Sequence, residues 1–128
     1  MALPYQNKLI MLSQQEVPSL IARQLPAALF YLSDTPPSAY QAIQALTDYT
    51  RRMALEHNFK MVQQCMALVE KIYNKGNALV KNAVENVFVF SFSTIMSRCN
   101  AVEWRIVQSY MPSDLYSLYI RQVLKSNC

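Results

Sequence analysis

Hydrophobic residues recur every three or four positions over most of the chain, which is the spacing of amphipathic helices. The most apolar segment is 77–97, where one broad face of the helical wheel is hydrophobic and where the apolar surface extends nearly all round from Val87 onward. The broad face consists of Val80, Ala83, Val84, Val87, Phe88, Phe90 and Ile95. A narrow polar stripe remains, made of Asn82, Asn86, Ser93 and Ser97. A helix that is apolar on nearly every side is usually enclosed by others, so we predict that 77–97 is the central buried helix.

Further helices are predicted on both sides of this segment. Their ranges are 13–32, 38–57, 59–75, 100–109 and 113 to about 125. Capping boxes open three of them, formed by Ser13 with Glu16, Ser38 with Gln41, and Asn100 with Glu103. The first helix could instead start near Val17 with Pro18 in its first turn, where proline is tolerated. We expect Pro26 to kink or split this first element.

The junction between 59–75 and the central helix is short. Gly76 is predicted to be the C′ residue that ends the preceding helix, and Asn77 can cap the next one with almost no loop. Such a short connection predicts an antiparallel hairpin. The VFVFSFS run has strand propensity, but the helical spacing upstream of it favours a helix.

Composition supports an all-α fold. The chain has 128 residues, 52% of them hydrophobic, and only one glycine, whereas sandwiches and barrels need many glycine-containing turns. We therefore predict an extended lead-in over 1–12 and a single helical domain over 13–128. The domain is expected to have five to six helices in antiparallel hairpins, arranged as a bundle or as a short solenoid-like stack.

Charge and cysteine content limit the partners and the cellular compartment that can be predicted. The net charge of +4 is scattered without a clustered basic patch, so no nucleic-acid partner is predicted. The longest uncharged apolar run, 86–97, is too short to span a bilayer, and the apolar run at 9–12 is too short for a signal peptide. Three cysteines without a CxxC or Cys/His metal spacing indicate a reducing compartment. We predict a cytoplasmic protein without a membrane partner.

The search for catalytic chemistry is mostly negative. His57 is the only histidine, and a packed or C-capping imidazole is a more common role for such a residue than a general base. The acidic residues show no ExxH or ExxE pairing, and one glycine cannot build a phosphate-binding loop. No metal or cofactor is predicted. A small-molecule enzyme using His57 or Cys99 is retained as an alternative.

Two groups of residues are candidates for binding. Asn82, Glu85 and Asn86 lie at the start of the most buried helix, so they could form hydrogen-bonding contacts on a binding surface with Glu85 as the anchoring charge. The alternative is that Lys81 and a neighbouring helix satisfy them, or that they face solvent before the helix becomes buried. The second group crowds the C-terminal segment and suits either an interface or the core; its members are Trp104, Tyr110, Tyr116 and Tyr119.

Two segments, HNFKMVQQCMALVEKIYNKGN and VKNAVENVFVFSFS, carry a resemblance. They resemble a family of small, uncharacterised helical bacterial proteins with no assigned activity, and the likeness extends over residues 16 to 122. Its most specific parts are the His57-Asn58-Phe59 sequence, the turn at Gly76 and the 82–92 core. The resemblance implies a helical bacterial protein and supplies no catalytic residue. Some bacterial toxin-neutralising proteins are similar in size and helical content, which is an analogy at the level of fold.

The leading functional hypothesis is a non-catalytic protein-binding module that neutralises or regulates a partner protein. The motivation is a well-specified fold without an assembled catalytic constellation. A self-associating structural protein, which would bury the C-terminal aromatic residues in a homodimer, is a second alternative beside the enzyme.

Overall fold

The computed structural model describes residues 11–30, 37–91 and 100–126, without the side chains of Tyr110 and of 122–126. The protein is all-α, as predicted, and the described ranges contain six α-helices and no strand. These are α1 (Val17–Gln24), α2 (Ala39–Leu55), α3 (Phe59–Lys75), α4 (Ala78–Ala83), α5 (Ala101–Tyr110) and α6 (Ser113–Ser126). Two 3₁₀ turns flank α1, at Gln14–Glu16 and Pro26–Leu29, and a π turn follows α4 at Val84–Val89. In this part of the chain, no helix has the length and apolar character needed to cross a bilayer.

Side-chain caps set most of the helix starts. The Ser38 hydroxyl accepts the Gln41 N–H (3.1 Å), and Asn100 Oδ1 accepts the Glu103 N–H (2.9 Å). Asn77 Oδ1 accepts the Val80 N–H (3.0 Å) and so begins α4 almost directly after α3. These bonds satisfy backbone donors that the first turn of a helix leaves unpaired. The capping residues predicted for α2, α4 and α5 are therefore confirmed.

Pro26 splits the first element as predicted, and Pro18 follows the alternative in which the helix starts near Val17. Pro18 lies in the first turn of α1, which therefore starts at Val17, and a 3₁₀ turn precedes it. In that turn the Ser13 N–H donates to Glu16 Oε1 (2.9 Å). Pro26 splits the element, because α1 ends at Gln24 and a separate 3₁₀ turn begins at the proline. Proline lacks the N–H that a continuing helix needs.

Gly76 ends α3 for a different reason from the predicted one. It is the C-cap residue in extended conformation (φ −72°, ψ 149°), so the prediction of a C′ glycine is wrong. A Cβ at this position would lie 2.5 Å from Val80 Cγ1 and 2.8 Å from the Ile72 carbonyl oxygen. The residue is glycine because two helices meet too closely for a side chain.

The chain before α1 runs beside this junction. The Leu12 N–H donates to the Lys75 carbonyl (2.6 Å), and the Asn77 N–H donates to the Leu12 carbonyl (3.0 Å). These bonds form an isolated parallel β-bridge between Leu12 and Gly76. Residues 1–10 of the predicted lead-in lie outside the described residues, and the division into 1–12 and 13–128 stays a prediction.

The described part of the central helix is 78–91, comprising α4, the π turn, Phe90 and Ser91. It contacts α2, α3 and α6, but Leu79 and Phe90 on it are exposed, so these three helices cover only part of it and the predicted enclosure on nearly every side is not confirmed. Its buried residues are Val80, Ala83, Val84, Val87, Phe88 and Val89. The predicted continuation over 92–97, with Ile95, lies outside the described residues. The antiparallel arrangement of the hairpins stays a prediction.

Phe90 was predicted to face inward, and this is wrong, because its side chain is 70% exposed. The cause is the π turn, in which the Phe90 N–H donates to the Glu85 carbonyl five residues earlier. One extra residue per turn moves the following positions backward around the axis by about 100° relative to an α-helix. Val89, which would lie opposite the core in a continuous α-helix, is therefore buried, and Phe90 takes the outward position.

Candidate functional site

One side of the central helix is not covered by α2, α3 or α6. Its exposed residues Leu79, Asn82, Asn86 and Phe90 follow at intervals of three or four, and we call these four residues the central face. The outer two are large and apolar, with Leu79 57% and Phe90 70% exposed. The inner two are amides. The central face is thus an uncharged stripe with apolar ends and a hydrogen-bonding middle.

The predicted binding residues Asn82, Glu85 and Asn86 are not equivalent. Asn82 and Asn86 are exposed on the central face, whereas Glu85 is half-buried on the flank toward α3. There the Tyr73 hydroxyl donates a hydrogen bond to Glu85 Oε2 (3.3 Å). Lys81 Nζ lies 5.2 Å from the centre of the Tyr73 ring, at a distance suited to a cation–π contact.

The surroundings of Tyr73 are partly desolvated and charged. Burial raises the pKa of the Tyr73 hydroxyl, and the adjacent Glu85 carboxylate raises this pKa further. Arg121 lowers the pKa and Asp114 raises it, so charged groups of α6 also act on this position. The phenol therefore stays protonated and available as a donor. Its bond holds the Glu85 carboxylate on the α3 side of the helix.

Sequence reasoning missed the two apolar ends of the central face. Leu79 lies on the same side of the helical wheel as Asn82 and Asn86, so its exposure could have been read from its spacing. Phe90 lies between the exposed and the buried side in an α-helical register, so its exposure depends on the π turn after Val84.

The C-terminal aromatic residues pack inside the domain. Trp104, Tyr116 and Tyr119 are half-buried against the hydrophobic core. The Trp104 and Tyr119 rings meet edge to face, with centres 6.2 Å apart and an angle of 71°. Gln108 Nε2 donates to the Tyr116 hydroxyl (3.3 Å). These contacts fit the core-packing alternative, while the interface hypothesis stays a prediction; the Tyr110 side chain lies outside the described residues.

His57 occupies the corner between α2 and α3. Its N–H donates to the Ala54 carbonyl (3.1 Å) and the Asn58 N–H donates to the Met53 carbonyl (2.8 Å). These two bonds form a Schellman motif with His57 at C′, where its φ is 59°. Its imidazole is 58% exposed, and Nδ1 contacts Glu103 Oε2 of α5. The geometry thus gives His57 two structural roles, ending α2 and linking that corner to α5.

The left-handed conformation leads to a testable difference between two variants. His57→Gly and His57→Ala both lose the imidazole and its contact with Glu103. Only alanine retains the steric cost of a Cβ at positive φ, which is about 1 kcal/mol or more. We expect His57→Gly to unfold at higher urea concentration than His57→Ala. Equal midpoints would contradict the left-handed assignment.

Other reactive side chains offer little chemistry. Among the described residues, no group of three or more His, Cys, Asp or Glu side chains could hold a metal ion. Cys65 is buried, and burial raises the pKa of its thiol to about 11, against the opposing effect of a hydrogen bond with the Thr50 side chain. A thiol with this pKa is protonated near neutral pH and is a weak nucleophile. Cys99, which the enzyme alternative names beside His57, lies outside the described residues.

An open groove of about 440 Å³ lies between the Pro26–Leu29 turn and α2. Its lining includes Tyr40, Gln44, Asp48 and Arg52. Asp48 Oδ1 already accepts hydrogen bonds from Arg51 (3.0 Å) and Gln44 (3.2 Å) of the same helix. Since this carboxylate is engaged along its own helix, the central face is the stronger candidate.

Comparison with known proteins places the chain in a family. A family model described as a domain of unknown function (DUF7674) matches residues 12–125. No curated protein and no solved structure matches the chain. The match extends from the β-bridge at Leu12 into α6, and the predicted resemblance to an uncharacterised family is confirmed. The chain therefore belongs to the DUF7674 family of domains of unknown function.

Proposed function

We propose that this protein is a non-catalytic protein-binding module and that it binds its partner through the central face. The observation that carries the proposal is the exposure of Leu79 and Phe90 (57% and 70%) on either side of two amides. The centres of protein interfaces are depleted of charge and enriched in aromatic residues, and they contain a limited number of hydrogen bonds. The central face has each of these properties.

The form of the surface also suits a protein partner. A single exposed helix side is convex, whereas small-molecule sites are concave and enclose their ligand. A partner helix can lie along such a side, with contacts at intervals of three or four residues. The four residues of the central face provide those intervals over a length of about 16 Å.

The same proposal includes a setting and a role. We place the protein in the bacterial cytoplasm, where it neutralises or regulates the protein that it binds, without a nucleic-acid or membrane partner. The scattered charge, the odd number of cysteines and the protonated Cys65 thiol support this setting. The engagement of His57 in a helix corner supports a role without catalysis.

Photocrosslinking tests the proposal in cells. A benzophenone amino acid is placed at Asn86 on the central face or, as a control, at Gln63, an exposed residue of α3. We expect discrete covalent adducts from position 86 and none from position 63. Phe90→Asp should abolish these adducts, because it puts a charge where the partner needs an apolar contact.

A matched control variant tests whether the loss of adducts in Phe90→Asp is specific to the central face. Val102→Asp introduces the same charge at an apolar residue of α5 that is 67% exposed, and it should leave the adducts unchanged. The proposal fails if position 86 gives no adduct, or if Phe90→Asp has no more effect than Val102→Asp. Circular dichroism of both variants checks that the helices are retained.

A further inference from the structure

We propose that the partner of the central face is a second copy of this chain, bound antiparallel across a two-fold axis. The inference rests on the proposed function, because it names the occupant of the same surface, and it makes the regulated protein this chain itself. In a two-fold interface the same patch serves both subunits, so the patch must be complementary to itself after rotation.

The order of residues along the central face has this self-complementarity. The midpoint between Leu79 and Phe90 falls at Val84–Glu85, and the midpoint between Asn82 and Asn86 falls at Val84. An axis through this point brings Leu79 of one copy onto Phe90 of the other. It also brings Asn82 of one copy onto Asn86 of the other. The same axis therefore pairs apolar residues with apolar residues and amides with amides.

The side-chain chemistry fits this pairing. Each carboxamide both donates and accepts hydrogen bonds. Asn82 of one copy and Asn86 of the other can therefore hydrogen-bond to each other without a charged group. Asparagine within an apolar helix interface is also a known determinant of register. The face itself is uncharged, so rotation brings no like charges of its four residues together.

Glu85 is the charged residue of the central helix that is next in sequence to the axis position, and its placement supports the inference. Its carboxylate is bound by the Tyr73 hydroxyl on the flank toward α3, with Lys81 over the same ring. The hydrogen bond keeps the negative charge off the central face. Without it, two Glu85 carboxylates could turn toward the axis and repel each other.

Sedimentation equilibrium of the purified full chain tests the inference. The wild type should change from the 14.7 kDa monomer to a species of twice that mass as concentration increases. N82E/N86E places two glutamates opposite each other at both contacts, and we expect it to weaken association by about 100-fold or more. N82E/N86K should retain the dimer, because an antiparallel pairing sets glutamate against lysine at both contacts.

The double variants also discriminate between orientations. A parallel arrangement would put position 82 against position 82 and would make N82E/N86K as repulsive as N82E/N86E. All the substituted residues are exposed, so circular dichroism should show an unchanged fold. Loss of the dimer in both double variants would overturn the antiparallel pairing.

The outcome for the wild type separates this inference from the proposed function. A wild-type monomer at every concentration up to about 500 μM, well above the dissociation constants of weak specific dimers, would overturn the inference. If position 86 still formed adducts in cells with a protein of different mass, the proposed function would stand with another partner. Monomers together with no adducts would overturn both.

Discussion

Val87→Asp is expected to unfold the domain or to leave it barely stable. Val87 is 3% exposed within the π turn of the central helix, which contacts α2, α3 and α6. An unpaired carboxylate in such a position costs several kcal/mol, while typical domains are stable by about 5–15 kcal/mol. We expect a large decrease in Tm and in the urea midpoint, measured by circular dichroism.

The adjacent residue provides the control. Asn86→Asp introduces the same carboxylate one position away on the exposed side, and it should change the free energy of unfolding by no more than about 0.5 kcal/mol. A Val87→Asp variant with the Tm of the wild type would show that this helix is not the buried centre of the fold.

Gly76→Ala is expected to have the second largest effect. The added Cβ would lie 2.5 Å from Val80 Cγ1 and 2.8 Å from the Ile72 carbonyl oxygen. Relieving these contacts requires movement where α3, α4 and the Leu12 bridge meet. Overpacking of this kind costs about 1–3 kcal/mol. Urea unfolding should show a lower midpoint for this variant than for the wild type.

A double variant identifies the contact responsible. Val80→Ala removes Cγ1 and leaves the Cβ of residue 80 and the Ile72 carbonyl oxygen, each 2.8 Å away, in place, so G76A/V80A should be less destabilised than the sum of the two single variants. Strict additivity would show that Val80 Cγ1 does not oppose a side chain at position 76.

The helix boundaries could be predicted because local chemistry sets them. Caps at Ser38, Asn77 and Asn100 and the interruption at Pro26 are properties of neighbouring residues, and the structure has them where the pattern places them. The role of Gly76 could not be derived in this way. Its glycine is required by a contact with Val80 and Ile72, which depends on how closely two helices meet.

The π turn is the main feature that the sequence conceals. After Val87 the segment is apolar on nearly every side, so its composition is compatible with more than one helical register. A continuous α-helix would place Phe90 at the edge of the buried face and Val89 opposite the core, whereas the π turn buries Val89 and exposes Phe90. The choice between the α-helical and the π register depends on how the central helix packs against its neighbouring helices, which the sequence pattern does not contain.

The part of the candidate site that depends on helical spacing could be predicted, and the part that depends on contacts between helices could not. The spacing of Asn82 and Asn86 places both amides on one side of the helix, and the structure has them exposed there. The donor to Glu85 comes from Tyr73, which is on a different helix, so only the tertiary structure reveals it. The left-handed position of His57 was equally hidden, because glycine is the residue that usually indicates it.

Thiol labelling of two variants tests most directly whether the π turn sets the central face. Val89→Cys and Phe90→Cys are made in chains whose Cys99 and Cys128 are replaced by serine, with Cys65 retained in the core. At protein concentrations where the chain is monomeric, the thiol at position 90 should react with an aromatic disulfide reagent much faster than the thiol at position 89. Labelling at position 89 as fast as at position 90, or faster, would indicate a continuous α-helix and would contradict the π turn that sets the central face.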